Sequence, residues 1–264
     1  MFANPWIAVL IALFTWWFST GAILWLVRQA EHRGVWGPQR AALWTLPLLG
    51  LGFHAISRSL DGGAYLAFFG ALAVWGWIEL AFLTGLITGP HRKPAVPAMP
   101  EGARLSAAWG TVAWHELVLA IALVSIFAMS RGALDQTAFW TFLVLYFARV
   151  SAKLNLFIGV PRHHIEFLPQ GIAHMGTYFR KTGPGWFYAF SNMALTFAVF
   201  CWIDRFLVTG DIGFALLGTL TALALLEHWL MVLPLPDEKL WRWMIPAPPT
   251  PTIKRRLSED ANGL

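Results

Sequence analysis

Apolar residues run nearly unbroken along seven stretches of the chain, at about 6–27, 41–57, 64–87, 110–129, 136–158, 186–208 and 212–233. Six of them have the length of roughly 20 residues that an α-helix needs to cross a bilayer core. No stretch shows the two-residue alternation of a half-buried strand, so the pattern predicts helices throughout. The second stretch is the weakest, because Pro47, Gly50, Gly52 and His54 interrupt a short run; such residues are tolerated in a bundle where neighbours satisfy the backbone. The first stretch lacks a basic leading segment and a small-residue cleavage pattern, and is expected to stay in the protein as a span.

The polar segments between these runs carry the next layer of information. Of the 19 Lys and Arg residues, only Arg58, Arg131 and Arg205 fall beside the second, fourth and sixth connections; the others gather on the opposite side. By the positive-inside rule this predicts a periplasmic N-terminus and a cytoplasmic C-terminus, which requires an odd number of spans. Residues 1–236 are expected to form one seven-span membrane domain, and residues 237–264 a cytoplasmic tail, disordered in part. The connection from Gly89 to Ala108 is rich in proline and is expected to be irregular. The one from Gly159 to Gly185 mixes aromatic and aliphatic residues with three histidines and predicts a short interfacial helix between Pro169 and Phe179.

Composition supports the same class. Only 12% of the 264 residues are charged and 57% are hydrophobic, against roughly 25% and 45–50% in soluble domains. A soluble nucleic-acid binder is excluded, and the net charge of +5 reads as an orientation signal. A single cysteine, Cys201, excludes an internal disulfide scaffold and a four-cysteine metal site.

Candidate chemistry comes from ionisable residues inside the apolar runs: Glu79, His115, Glu116, Arg149, Lys153, Glu227 and His228, with Asn155 extending the set. With the topology above they share one layer toward the cytoplasmic side. A charge in hydrocarbon is costly unless paired or hydrated, so a polar cluster across several helices is expected. Arg149 and Lys153 lie four apart on one helix face, and the three carboxylates are their natural partners. The histidines could ligate the magnesium of a chlorophyll-type pigment. A di-iron site of the bundle type is disfavoured, because His115–Glu116 and Glu227–His228 are adjacent pairs, whereas that site uses Glu-x-x-His. No phosphate loop or dinucleotide fingerprint occurs. No catalytic residue and no metal ligand is assigned, and an enzyme is the less favoured reading. A transporter lined by the intramembrane charges stays open.

The strings WGWIELAFLTGLITGP, FARVSAKLNLFIGV, EFLP and LLEHWLMVLPLP, together with WWFSTGAILWL at 16–26 and WHELVLA at 114–120, resemble the photosynthetic complex assembly protein 2 family (PuhE) of phototrophic bacteria across nearly the whole chain. The resemblance implies a multi-pass protein of the bacterial inner (cytoplasmic or intracytoplasmic) membrane. It implies a role in assembling reaction-centre and light-harvesting complexes or in bacteriochlorophyll supply. The partners implied are photosynthetic apoproteins or bacteriochlorophyll biosynthetic enzymes, besides the lipid bilayer, with transient binding of bacteriochlorophyll or a precursor. The alternatives are a membrane enzyme modifying a bacteriochlorophyll precursor and a transporter or regulator of tetrapyrrole flux. The family has no settled mechanism, so Glu79, His115, Glu116, Arg149, Lys153, Asn155, Glu166, Glu227 and His228 match its strings without inheriting roles.

Overall fold

A computed structural model describes residues 4–34, 37–163, 165 and 168–235; the expected tail at 237–264, as well as His164 and Glu166, lies outside the described residues. The fold is all-α. Its helices are α1 (Pro5–Glu31), α2 (Gly37–Trp44), α3 (Pro47–Ser59), α4 (Ala64–Leu83), α5 (Glu101–Gly110), α6 (Ala113–Ser130), α7 (Thr137–Ile158), α8 (Trp186–Thr209) and α9 (Ile212–Leu230), with a 3₁₀ helix at Gln170–Tyr178. Among the described residues six helices, α1, α4, α6, α7, α8 and α9, are long and apolar enough to cross a membrane. The chain is thus a multi-pass α-helical membrane protein.

The stretch at 41–57 divides into α2 and α3 at Pro47, which has no N–H to continue the helical ladder. The remaining bonds are local: Leu46 N–H donates to Leu43 O at 3.2 Å, and Leu48 N–H to Thr45 O at 2.9 Å. The Trp77 indole donates to Ala42 O at 3.0 Å and ties α2 to α4. Proline and glycine therefore bend this segment around α4, and the resulting pieces are each shorter than a bilayer crossing.

The α3–α4 contact depends on two glycines facing each other. A Cβ on Gly70 would stand 2.9 Å from Ile56 Cγ1 and 3.0 Å from Gly52 O; one on Gly52 would stand 2.9 Å from Gly70 O. Hydrocarbon offers little solvophobic drive for helices to associate, so close backbone packing supplies dispersion contacts instead. Helix α4 is the most enclosed long helix, with Ala67, Ala71, Val74, Ile78 and Ala81 fully buried. By contrast Phe14, Phe18, Phe197 and Phe200 on α1 and α8 are exposed, as expected of side chains that meet lipid.

The connections at one end of the bundle form a cap. Residues 89–100 are irregular as expected, but the linker then becomes helical: α5 begins after Pro100 with Glu101 in its first turn. The 3₁₀ helix lies where the sequence predicts an interfacial helix. Its Ile172, Met175 and Tyr178 pack with Phe82 of α4, Phe157 of α7 and Ala108 of α5. Tyr178 donates its hydroxyl proton to Lys93 O at 2.9 Å and therefore accepts from His91 Nε2 at 2.8 Å. Glu31 at the end of α1 accepts from Gln170 N–H at 2.7 Å, and Arg162 N–H donates to Met231 O at 3.1 Å beyond α9. Glu101 bonds to both Arg104 and Arg180; the Arg104 hydrogen bond does most to hold its carboxyl below the usual range.

Two outcomes follow from this packing. Gly70→Leu should destabilise the protein in detergent by about 1–3 kcal/mol through overpacking, measured by thermal unfolding. Gly76→Ala, whose Cβ would meet only Ile23 Cδ1 at 3.8 Å, should be tolerated. In the cap, burial pushes His174 below its ordinary pKa of 6.5, partly offset by a hydrogen bond to the His91 backbone and reinforced by nearby Arg92. The unfolded cap then binds the proton first, so cap stability should fall as pH drops below about 6.5. Hydrogen exchange at Ile172–Tyr178, corrected for intrinsic rates, should show lost protection between pH 7.5 and 5.5, and His174→Gln should remove that dependence.

Candidate functional site: a buried polar network beside a membrane cavity

Helix α7 carries two polar stripes on opposite sides. Arg149 and Lys153 are four residues apart and share one stripe; Ser151 and Asn155 form the other, about half a turn away. The first stripe faces α4 and α6, while the second reaches α9 and α8.

Arg149 binds Glu79 of α4 with both arms of its fork: Nε donates to Oε1 at 3.0 Å and Nη2 to Oε2 at 2.8 Å. This planar two-bond geometry is specific to guanidinium and carboxylate. One turn further, Lys153 Nζ donates to Glu116 Oε1 at 2.6 Å and contacts His115 Nδ1 at 2.8 Å. A third direction of the ammonium faces the Phe82 ring, 4.7 Å from its centroid. The three N–H bonds of Lys153 are thus met by a carboxylate, an imidazole and an aromatic face. For a protonated Lys153, His115 Nδ1 must accept, which puts the ring proton on Nε2, 3.5 Å from Glu79 Oε1. Arg149, Glu79, His115, Lys153 and Glu116 thus form one row across α7, α4 and α6, in which the His115–Glu79 step is a 3.5 Å approach without a hydrogen bond.

Local helix geometry prepares this line. His115 and Glu116 lie in the first two turns of α6, where backbone N–H groups lack helical partners; His115 N–H donates to Thr88 O at 2.9 Å. A carboxylate at this end is favoured by the helix dipole. Glu79 and Phe82 are three apart on α4, so one face supplies both the carboxylate and the ring, and the ring packs 4.3 Å from the His115 centroid.

The other stripe makes neutral contacts. His228 Nδ1 donates to Ala224 O at 2.8 Å, since a carbonyl can only accept, and Nε2 accepts from the Ser151 hydroxyl at 2.8 Å, which is shared with Ala148 O at 3.1 Å. Asn155 Nδ2 donates to Ser191 Oγ at 3.2 Å. His115, His228 and Asn155 are buried, and the imidazole lone pair that a pigment's magnesium would need is held by Lys153 in one case and by Ser151 in the other. A magnesium-bearing pigment therefore does not fit these two imidazoles as they are arranged.

Glu227 behaves differently from its neighbour. It accepts from the Trp16 indole of α1 at 2.9 Å and lines a cavity of about 290 Å³ between α1, α4, α7 and α9, together with Glu79 and Arg149. The remaining wall is mostly apolar, including Phe68, Leu72, Trp75, Leu145 and Leu220, with Ser19 and Thr20 hydroxyls on α1. Of the eight residues expected to form a site, Glu79, Arg149 and Glu227 face this cavity. His115, Glu116 and Lys153 lie behind Glu79, and Asn155 and His228 lie on the far side of α7. No group of three or more His, Cys, Asp or Glu suited to a metal ion occurs among the described residues, and the place between His115 and Glu116 is taken by the Lys153 ammonium.

Sequence reasoning does not find Phe82, Ser151 or Trp16 as parts of the network. Phe82 carries a usable signal, its i, i+3 spacing from Glu79. Trp16 reads as an interfacial aromatic, yet it lies eleven residues into the 27-residue α1 and points to a carboxylate 211 positions away; nothing local indicates that contact.

The paired charges give a direct test. Lys153→Met should leave Glu116 buried without its cation and cost about 3–5 kcal/mol. The double variant Lys153→Met with Glu116→Leu should recover much of that loss. Thermal unfolding of the four proteins of this cycle in one detergent measures the coupling.

The sequence matches the protein family described as Protein of unknown function (DUF3623) over residues 2–252. It is 46% identical over 252 residues, covering 92% of each chain, to a Rhodobacter capsulatus protein described as an uncharacterized 30.4 kDa protein in the puhA 5' region. No solved structure matches it.

Proposed function

The chain belongs to the family described as Protein of unknown function (DUF3623), and from that premise we propose that it is a non-enzymatic inner-membrane factor for assembling photosynthetic reaction-centre and light-harvesting complexes, or for their bacteriochlorophyll supply. The observation that carries this reading is the cavity: an apolar chamber within the helices whose polar end is built from Glu79, Arg149 and Glu227. Such a chamber suits reversible holding of a membrane-soluble molecule, because apolar walls supply affinity and a few fixed polar groups supply orientation. The naming of the R. capsulatus relative for the puhA 5' region supports a link to photosynthesis.

In this reading the eight ionisable and polar residues divide their work. Glu79, Arg149 and Glu227 meet the held molecule; His115, Glu116 and Lys153 set the position of Glu79 from behind, while Asn155 and His228 hold α7 against α8 and α9. Residues 1–236 act as one membrane domain in which α2 and α3 together make a bent seventh crossing. The basic cap then faces the cytoplasm, the N-terminus faces the periplasm, and residues 237–264 form a cytoplasmic tail. Photosynthetic apoproteins or bacteriochlorophyll biosynthetic enzymes are the partners, met at the cap.

A deletion strain tests the reading through two measurements on the same cells. Assembled core complexes should fall several-fold while no tetrapyrrole intermediate accumulates, and Arg149→Leu should fail to restore assembly. Accumulation of one intermediate would instead favour an enzyme, and normal complex levels would remove the assembly role.

A further inference from the structure

The charges inside the bundle do not balance. Glu116 is paired with Lys153 and Glu79 with Arg149, which leaves Glu227 with a neutral indole as its hydrogen-bond partner. Two N–H groups of Arg149 are turned to Glu79 and its charge also reaches Glu227 across the shared cavity, but Arg149 and Lys153 together face Glu79, Glu116 and Glu227, so one carboxylate remains in excess. The surplus carboxylate is the one exposed to the cavity, three residues before the end of α9. A lone carboxylate among membrane helices is costly unless a cation or water reaches it. Beyond Arg149, the adjoining walls, Phe68, Leu72, Trp75, Leu145 and Leu220, add no second cation.

From this imbalance we infer that the cavity binds an amphiphile with an ammonium head, the head on Glu227 and the apolar chain along α4, α7 and α9. Charge complementarity selects the head: an ammonium supplies the missing positive charge and up to three N–H donors, whereas a carboxylate or phosphate alone would add to the surplus. Size selects the body. At about 290 Å³ the cavity lies at the lower limit of small-molecule sites, roughly 300–1,000 Å³, and takes one chain in preference to a broad macrocycle. The Trp16 indole fixes the carboxylate, so the acceptor is oriented before the ligand arrives. The inference rests on the cavity being the working site of the proposed assembly factor, and it adds the class of molecule held there.

The full chain in phosphatidylcholine–phosphatidylglycerol nanodiscs is labelled with three diazirine probes of equal chain length: dodecylammonium, dodecanol and dodecanoate. Crosslinks at Leu72, Leu145 and Leu220 are divided by those at the exposed Phe197 and Phe200 of α8, which corrects for partitioning into lipid. The ammonium ratio should exceed the alcohol ratio about tenfold, the effect of one added charge contact worth about 1.4 kcal/mol. Glu227→Gln keeps an acceptor for Trp16 and should reduce the ammonium ratio to the alcohol level without changing the alcohol. Ala148→Phe should lower all three by filling the chamber. Equal ammonium and alcohol ratios in the native protein, as a protonated Glu227 would give, or an excess that survives Glu227→Gln, would overturn the inference. Competition by added phosphatidylethanolamine identifies a bilayer lipid as the ammonium source, and its absence a free amphiphile. The two readings separate in cells: a deletion strain restored by Glu227→Gln removes the ammonium ligand and keeps the assembly role, whereas a deletion strain with normal complexes removes the assembly role alone.

Discussion

The bidentate contact of Arg149 with Glu79, continued through His115 to the Lys153–Glu116 pair, is the constraint around which the bundle is arranged. Glu79, Glu116 and Lys153 are buried and Arg149 is half-buried; each buried ion would be strongly unfavourable without its partner, since desolvation outweighs what an unpaired charge recovers. Three helices must therefore approach with fixed depth and rotation. A one-residue slide of α7 would carry Arg149 and Lys153 around the helix by about 100° and separate both from their carboxylates. The network thus acts less as a source of net stability than as a specification of register, a role buried polar groups can fill where apolar packing alone would permit several alignments.

The surrounding structure follows from that specification. Helix α4 must come close to α3 on one face and to α7 on another, and it carries Gly70 for the first contact and Glu79 and Phe82 for the second. The cap closes over the ends of α4, α5 and α7 through Phe82, Ala108, Phe157, Ile172, Met175 and Tyr178. Phe82 belongs to both layers: its ring lies against Lys153 and His115 and also against the cap core. The cap and the ionic line consequently share a wall, and a change in one has a direct packing path to the other.

The cavity is the complement of this arrangement. Where α4, α7 and α9 are drawn together by polar contacts they leave α1 as the outer wall, attached through Trp16 to Glu227. Two carboxylates and one guanidinium line its polar end, and small residues such as Ala12, Gly76, Ala148 and Ala152 make the space. A wall of that composition orients a polar group while leaving the rest of the chamber indifferent to detailed shape.

Much of this is legible in the order of residues along the chain. Apolar runs place the long helices because a bilayer-length segment has to satisfy its own backbone hydrogen bonds, and Pro47 marks the one run that divides. The four-residue spacing of Arg149 and Lys153 puts both on one face, and the cost of charge in hydrocarbon requires partners for them. Local sequence does not carry which carboxylate pairs with which base, because that depends on the rotation of each helix, and rotation is settled by contacts between segments far apart in the chain. Tertiary packing alone brought His228 to Ser151, set His115 behind Glu79, and left Glu227 facing a cavity with a tryptophan from α1. The sequence by itself determined that this is an all-helical membrane protein with charges inside its apolar runs; only the tertiary structure decided which of those charges are spent on one another and which faces the cavity, because pairing depends on the rotation of helices that are far apart in the chain.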